Sequence, residues 1–339
     1  MLQTFNYDQA FHFEQGGSID RLQIAYHTYG TLNEQKDNVV WICHALTANA
    51  AVADWWSGLV GSGTALDPDQ YFIVCANILG SCYGTTGPGS VPQGSKAPYS
   101  TAFPDFTIRD MVQAHELLRQ HLGIDTIHLL VGGSMGGYQA LEWALKSPER
   151  IEKLFLLATS AAESAWGIAI HTAQRMAIEA DPRWQEGTQG SGDNGLKAAR
   201  AIGMLTYRNY ELFNAQQSDT DPNKTSDFKA SSYLAYQAQK LADRFDAVTY
   251  HKLTQAMDSH NIARGRAGNI TSILSTLTQP VLLIGISSDI LCPPAEQRNM
   301  AKHLPDCTYK EINSSYGHDG FLIEYQIIGE HLHNWLRQL

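Results

Sequence analysis

Ser134 stands at the centre of Gly132-x-Ser134-x-Gly136, between the apolar run Ile127–Val131 and a helix-like stretch that opens at Met135. A sharp strand-to-helix turn holds such a serine in a strained backbone, and side chains two residues to either side would collide. The helix start also aims free N–H groups at charge developing beside the hydroxyl. A Gly-rich turn that only packs tightly or binds phosphate gives no reason for a serine between the glycines. A serine hydroxyl needs a base, and the base needs an orienting acid. In this context the expected chain order is Ser, then Asp or Glu, then His. Asp289 follows the strand-like run Val281–Ile286 and precedes a turn at Pro293-Pro294. His318 follows the run Tyr309–Ile312. Asp319 is a rival acid, but adjacent residues seldom aim side chains at each other, so Asp289 is preferred. Two backbone N–H groups should stabilise the oxyanion: that of Met135, and one from the loop after Val39–Cys43, where Leu46 is the choice.

These groups need a scaffold, and the chain supplies one. Leu22–Thr28, Val39–Cys43, Phe72–Ala76, Ile127–Val131, Leu154–Ala158 and Val281–Ile286 are short, β-branched and apolar. Several are apolar along their whole length, which predicts strands covered on both faces. Helical patterns at Ile108–Leu122 and Met135–Lys146 lie between them, so the expected class is α/β with a mostly parallel sheet. From 160 to 279 no strand pattern occurs, and helices joined by polar loops such as Glu186–Gly195 and Ser218–Thr225 are expected. The strand at Val281 then resumes the first pattern. One α/β catalytic domain (1–159 and 280–339) interrupted by a helical cap (160–279) is therefore predicted. The chain carries 24 Lys and Arg against 34 Asp and Glu. Residues 196–266 nevertheless hold a small excess of cations, either ordinary solvated helix faces or a cap that offers positive charge to an anionic ligand.

Composition excludes several classes. At 339 residues and 43% hydrophobic content the chain is too apolar for disorder. A net charge of −10 argues against nucleic acid as a partner. No apolar run reaches about 18 residues, so no membrane span is expected, and the first residues lack the pattern of a signal peptide. Five cysteines without CxxC spacing argue against a disulfide framework and for a cytoplasmic setting. His331 and His333 form the only tight histidine pair, without third or fourth ligands at useful spacing, so no metal site is expected.

Four motifs together carry a resemblance. Cys43-His-Ala-Leu-Thr47, Asn77-Ile-Leu-Gly-Ser-Cys-Tyr-Gly-Thr-Thr-Gly-Pro88, Gly132-Gly-Ser-Met-Gly-Gly137 and Gly317-His-Asp319 resemble homoserine O-acetyltransferases of the α/β-hydrolase fold. Ala199-Arg-Ala-Ile-Gly-Met-Leu-Thr-Tyr207, Ser232-Tyr-Leu-Ala-Tyr-Gln237 and Arg244-Phe-Asp-Ala247 extend it through the insertion. The resemblance implies ping-pong transfer of an acetyl group from acetyl-CoA, as co-substrate, to the side-chain hydroxyl of L-homoserine, an early step of methionine biosynthesis. It implies Ser134 as nucleophile, Asp289 as acid and His318 as base, with Arg200 and Asp319 contacting substrate. No metal or prosthetic group is implied, and a homodimer through the cap helices is. Homoserine carries a carboxylate and an ammonium, which suits a guanidinium and a carboxylate; Arg208 competes with Arg200 for the first role. After Thr47 the family pattern expects a Gly and a more polar segment. Here Ala48-Asn49-Ala50-Ala51-Val52 stands, a segment that should line the pocket near the acceptor. L-serine as acceptor, succinyl-CoA as donor, and an esterase with the same triad remain alternatives, since one methylene is worth only about 1–3 kcal/mol of discrimination.

Overall fold

The structure is a computed structural model that describes residues 1–188 and 190–339. Eight strands form one sheet: β1 (Gln3–Tyr7), β2 (Leu22–Tyr29), β3 (Val39–Cys43), β4 (Phe72–Ala76), β5 (Leu129–Gly133), β6 (Leu154–Leu157), β7 (Val281–Ile286) and β8 (Cys307–Ile312). Their spatial order is β1-β2-β4-β3-β5-β6-β7-β8. β2 runs antiparallel to β1 and β4, and every other pairing is parallel.

The unbroken apolar runs have the cause expected of them. In β3, Val39, Trp41 and Cys43 pack into one core, while Val40 and Ile42 face another across the sheet. The helices α1 (Ile108–His121) and α2 (Met135–Lys146) close the first core with Met111, Leu118, Leu141 and Ala144. A capping box at Thr107 and Asp110 fixes the start of α1. The expected run at Ile127 is shifted: β5 begins at Leu129 and continues through Gly133, and Ile127 makes only an isolated bridge to Ile151.

Register brings the C-terminal ends of the parallel strands together, with Cys43 beside Gly132, Gly133 beside Leu157, Leu157 beside Ile284 and Ile286 beside Ile312. The loops that follow these strands therefore open on one edge, where ligands bind in open α/β sheets.

Between β6 and β7 lie α3 (Ala165–Glu179), α4 (Asp193–Tyr207), α5 (Tyr210–Gln217), α6 (Lys229–Ala242), α7 (Ala247–Asp258) and a short helix at Ile270–Leu274, with no strand among the described residues. The insertion leaves and returns side by side: Glu163 N donates to His260 O at 2.8 Å, and Ile262 N to Ala161 O at 3.0 Å. Just past this stem an ion cluster ties the chain down. Glu142, almost fully buried, accepts from Arg109 and Arg266, and Glu14 accepts from Arg109 and Arg264. Partial burial alone would raise the Glu14 pKa. The Arg264 hydrogen bonds and charge, with help from Thr107 and Arg109, outweigh it and bring the value down to about 2.

The loop expected at Glu186–Gly195 ends earlier than predicted. α4 already includes Asp193 to Gly195, because the Asp181 carboxylate accepts from the N–H groups of Asn194 (2.9 Å) and Gly195 (3.0 Å). Gly195 is needed where α3 crosses, since a Cβ there would sit 2.5 Å from the Ile178 Cα. Gln189 of the same expected loop lies outside the described residues. No helix among the described residues is long and apolar enough to cross a membrane.

Candidate active site

Ser134 sits where β5 turns into α2, with φ at 54°, in the left-handed region that L side chains avoid. The glycines around it answer close approaches. A Cβ at Gly132 would lie 2.2 Å from Gly136 O, and one at Gly136 would lie 2.0 Å from Cys43 O. The strained turn is pinned from just past the end of β6, where Thr159 Oγ1 donates to Ser134 O at 2.8 Å.

The structure brings Ser134, His318 and Asp289 into one chain of hydrogen bonds. His318 Nε2 lies 2.8 Å from Ser134 Oγ, and Nδ1 lies 2.7 Å from Asp289 Oδ2. Asp289 Oδ1 accepts from the N–H groups of Leu291 (2.8 Å) and Cys292 (2.9 Å). A carboxylate only accepts, so the proton sits on Nδ1, and Nε2 offers its lone pair to the serine hydroxyl. All three residues are buried. Burial alone would pull the His318 pKa down, but the charge and hydrogen bond of Asp289 overcome it and hold the pKa above its ordinary 6.5. Asp319, the rival acid, is ion-paired with Arg208 and makes no hydrogen bond to His318 among the described residues.

Leu46 and Met135 flank this chain of groups. Met135 is the first residue of α2, and neither backbone N–H donates to another group among the described residues. His44 fixes the start of the Leu46 loop and escaped sequence reasoning. Its Nδ1 bonds Ala45 O at 2.9 Å, and its Nε2 accepts from Ile78 N at 3.2 Å. Burial drives its pKa to about 4, so it stays neutral and holds both bonds in one tautomer.

Ser134 and His318 open on a cavity of about 360 Å³, also lined by Leu46, Arg200 and Asp319. Ala48 and Asn49 of the unusual segment line it as well. Arg200 and Arg208 turn out to have separate positions. Arg208 Nη1 lies 2.5 Å from Asp319 Oδ2. Arg200 instead lies 5.3 Å from the Tyr207 ring centroid, and its buried Nε has no partner among the described residues. Burial raises the Asp319 pKa, with the charges of Arg208, His318 and Arg200 opposing. Tyr207, Arg244 and His171 also line the cavity and were not anticipated. His171 bonds Asp258 through Nδ1 at 2.7 Å, but a lone histidine on an amphipathic helix carries no sequence signal.

Among the described residues one trio, Asp289, Cys292 and His318, brings metal-ligating atoms within 4.8 Å of one another. Both Asp289 oxygens and both His318 nitrogens are already engaged. Burial, aided by the Asp289 charge, keeps the Cys292 thiol well above its ordinary pKa. The donor set is that of a proton relay, not of an open cation site.

Comparison with known proteins agrees with this geometry. The family model for the alpha/beta hydrolase fold matches residues 38–325. A homoserine O-acetyltransferase of Cyclobacterium marinum is 48% identical over 96% of this chain and 92% of its own length. The crystal structure of homoserine O-acetyltransferase from Bacillus anthracis superposes with a TM-score of 0.90 at 25% identity, covering 99% of this chain and 97% of that one. Esterase E22 superposes with a TM-score of 0.88 at 24% identity, covering 98% of this chain and 100% of that one, a likeness of fold alone. With an alpha/beta hydrolase fold and relatives of this similarity along almost its whole length, the chain belongs to the homoserine O-acetyltransferase family.

Proposed function

We propose that the protein transfers an acetyl group from acetyl-CoA to the side-chain hydroxyl of L-homoserine through an acetyl-Ser134 intermediate. His318, oriented by Asp289, takes the Ser134 proton as Oγ attacks the thioester carbonyl. The Leu46 and Met135 amides hold the resulting oxyanion, and the thiol of CoA departs with the proton from His318. Homoserine then enters, His318 takes its hydroxyl proton, and the new alkoxide oxygen attacks the acetyl-enzyme. Collapse releases O-acetylhomoserine and restores Ser134.

One observation carries the choice of transferase over hydrolase: the nucleophile shares its cavity with Arg200, whose buried Nε is unpartnered. A buried donor left without an acceptor is costly, and the acceptor carboxylate meets that need, whereas a simple acetyl ester offers only neutral oxygens. Asp319, raised above its ordinary pKa by burial and held by Arg208, is the group for the ammonium. The helices of the insertion act as a lid that keeps water, the competing nucleophile, from the acetyl-enzyme.

Several associated readings belong here. Acetyl-CoA serves as co-substrate, with no metal or prosthetic group, and nucleic acid and membranes are not partners. Trp166, Met176, Leu205, Tyr210 and Tyr236 are large apolar residues exposed on the insertion helices, which supports a homodimer through those helices. Five unpaired cysteines support a cytoplasmic setting.

The test is CoA release by purified protein, with acetyl-CoA or succinyl-CoA as donor and homoserine or serine as acceptor. Fast release that needs both acetyl-CoA and homoserine is expected. Equal release without any acceptor would move the protein to the hydrolases.

A further inference from the structure

Arg244-Phe-Asp-Ala247 lies in the turn between α6 and α7, far in sequence from every catalytic group. Two of its side chains have plain structural work. The Asp246 carboxylate caps α7 by accepting from Thr249 N at 2.7 Å. The Phe245 ring packs edge-on against Tyr83, with centroids 5.8 Å apart. Arg244 is different, because it reaches the catalytic machinery. Its Nη1 donates to Thr47 O at 2.8 Å and also to the Tyr83 hydroxyl. No carboxylate pairs with it among the described residues.

Thr47 follows Leu46, whose amide is the second oxyanion donor, in a loop with little support of its own. Within it, Ala48 N donates to Ala45 O, and Ala51 N to Asn49 Oδ1. The rest comes from outside. His44 holds the start. Asn77 holds the far end, accepting from Ala50 N at 2.8 Å while its own amide donates to Tyr83 O at 2.8 Å. Arg244 grips the middle, and through the Tyr83 hydroxyl it is joined to the residue that steadies Asn77. The Arg244 carbonyl is in turn met by the Cys82 thiol at 3.9 Å.

We propose that Arg244 is a positioning residue: the helical insertion uses it to hold the oxyanion loop in its catalytic shape. The two donors of the oxyanion hole then have separate supports. Met135 is fixed by the sheet and α2, whereas the loop of Leu46, held at its ends by His44 and Asn77, takes its support at Thr47 from the insertion. A misplacement of about 1 Å in such a group can cost about a hundredfold in rate. Both tetrahedral intermediates use the same hole, so acylation and deacylation should suffer together.

The inference rests on the acyl-serine reading above, and its test is chosen to be independent of the natural donor and acceptor. Arg244→Lys and Arg244→Ala are compared with the parent protein in the pre-steady-state burst from p-nitrophenyl acetate, with thermal melting as a check on folding. Both variants should show acylation slowed by roughly ten- to a hundredfold. Deacylation by homoserine should slow by a similar factor, with KM for homoserine within about twofold of the parent. Lysine keeps the charge, but its Nζ ends one bond short of Nη1, the single nitrogen that meets both oxygens, so it should rescue little. Tyr83→Phe keeps the Thr47 bond and the fold, and should give a smaller loss. Full acylation in folded Arg244→Ala, complete rescue by lysine, or a loss confined to the homoserine KM would each overturn the proposal. A failure of CoA-dependent transfer in the parent, by contrast, would strike the acceptor and donor assignment and leave the burst comparison intact.

Discussion

Replacing Asp289 by Asn changes one atom, and the geometry says which way the new amide must turn. Asp289 Oδ1 accepts two backbone N–H groups, and Oδ2 accepts the His318 Nδ1–H. An asparagine has one acceptor and one donor end. Turning its NH₂ toward Leu291 and Cys292 would set donor against donor at two buried positions, at a cost of about 3–6 kcal/mol. The oxygen therefore stays on the loop, and the NH₂ faces Nδ1. His318 must then carry its proton on Nε2, so Ser134 meets an N–H where it had a lone pair. Reaching the productive tautomer needs the costly flip, which corresponds to about 10²–10⁴ in rate, and a loss of about 10⁴ in kcat is the known scale for such a tautomer change. The assay is CoA release with homoserine as acceptor, alongside the p-nitrophenyl acetate burst and a thermal melt. Expected are a kcat lowered by about 10³–10⁴, an intact fold and a little-changed KM. The residual activity should also lose the carboxylate that holds the His318 pKa up, so its acidic limb should fall below the parent's. A folded variant that keeps more than about a tenth of parental kcat would refute the assignment of Asp289 as the orienting acid.

Other outcomes follow from the same structure. His318 must be neutral to act as base and its pKa is raised, so kcat/KM of the parent should fall as pH drops through an apparent value above 6.5, read from a pH–rate profile. Glu142→Ala leaves Arg109 and Arg266 without their buried partner and should cost about 3 kcal/mol in denaturant unfolding; no change would mean that the cluster does not anchor the insertion. Glu14 is depressed to about 2 from 4.5. Its contribution to stability is thus complete above pH 4.5 and lost as pH falls towards 2, which acid unfolding of Glu14→Gln against the parent should reveal. Arg200→Met should raise the homoserine KM by roughly a hundredfold while slowing acylation by acetyl-CoA far less; an unchanged KM would remove Arg200 from the acceptor site.

The parallel strands and the three triad positions were legible because each depends on local pattern. An apolar run, a turn and a polar residue just beyond it suffice to mark Ser134, Asp289 and His318, since all lie past the C-terminal ends of strands. β1 was not legible: three of its five residues are exposed, and only Phe5 and Tyr7 pack against the core beside its hydrogen bonds to β2. The roles of Arg200 and Arg208 were not separable from sequence either. Arg200 is inside α4, and Arg208 is the extended residue just past its end. The helix terminus therefore decides that Arg208 meets Asp319 and leaves Arg200 to the cavity. Arg244 lay in a motif without a visible purpose, because its partner is a backbone carbonyl, and carbonyls leave no mark on a sequence.

The place of the insertion has a consequence for how the protein is made. β6 and β7 are neighbours in the sheet, yet the whole helical insertion separates them in the chain. As the polypeptide leaves the ribosome, Leu154–Leu157 must wait with one edge unpaired until Val281–Ile286 has been synthesised, and such an edge is sticky. Closing a loop of this length adds little entropy cost beyond that of a shorter one, since the penalty grows only logarithmically. It does make the contact order high and the final pairing late. That same late step delivers Asp289 and then His318 to Ser134. On the proposed mechanism, Ser134 therefore stays inert throughout synthesis and gains its reactivity only with the last strands of the sheet.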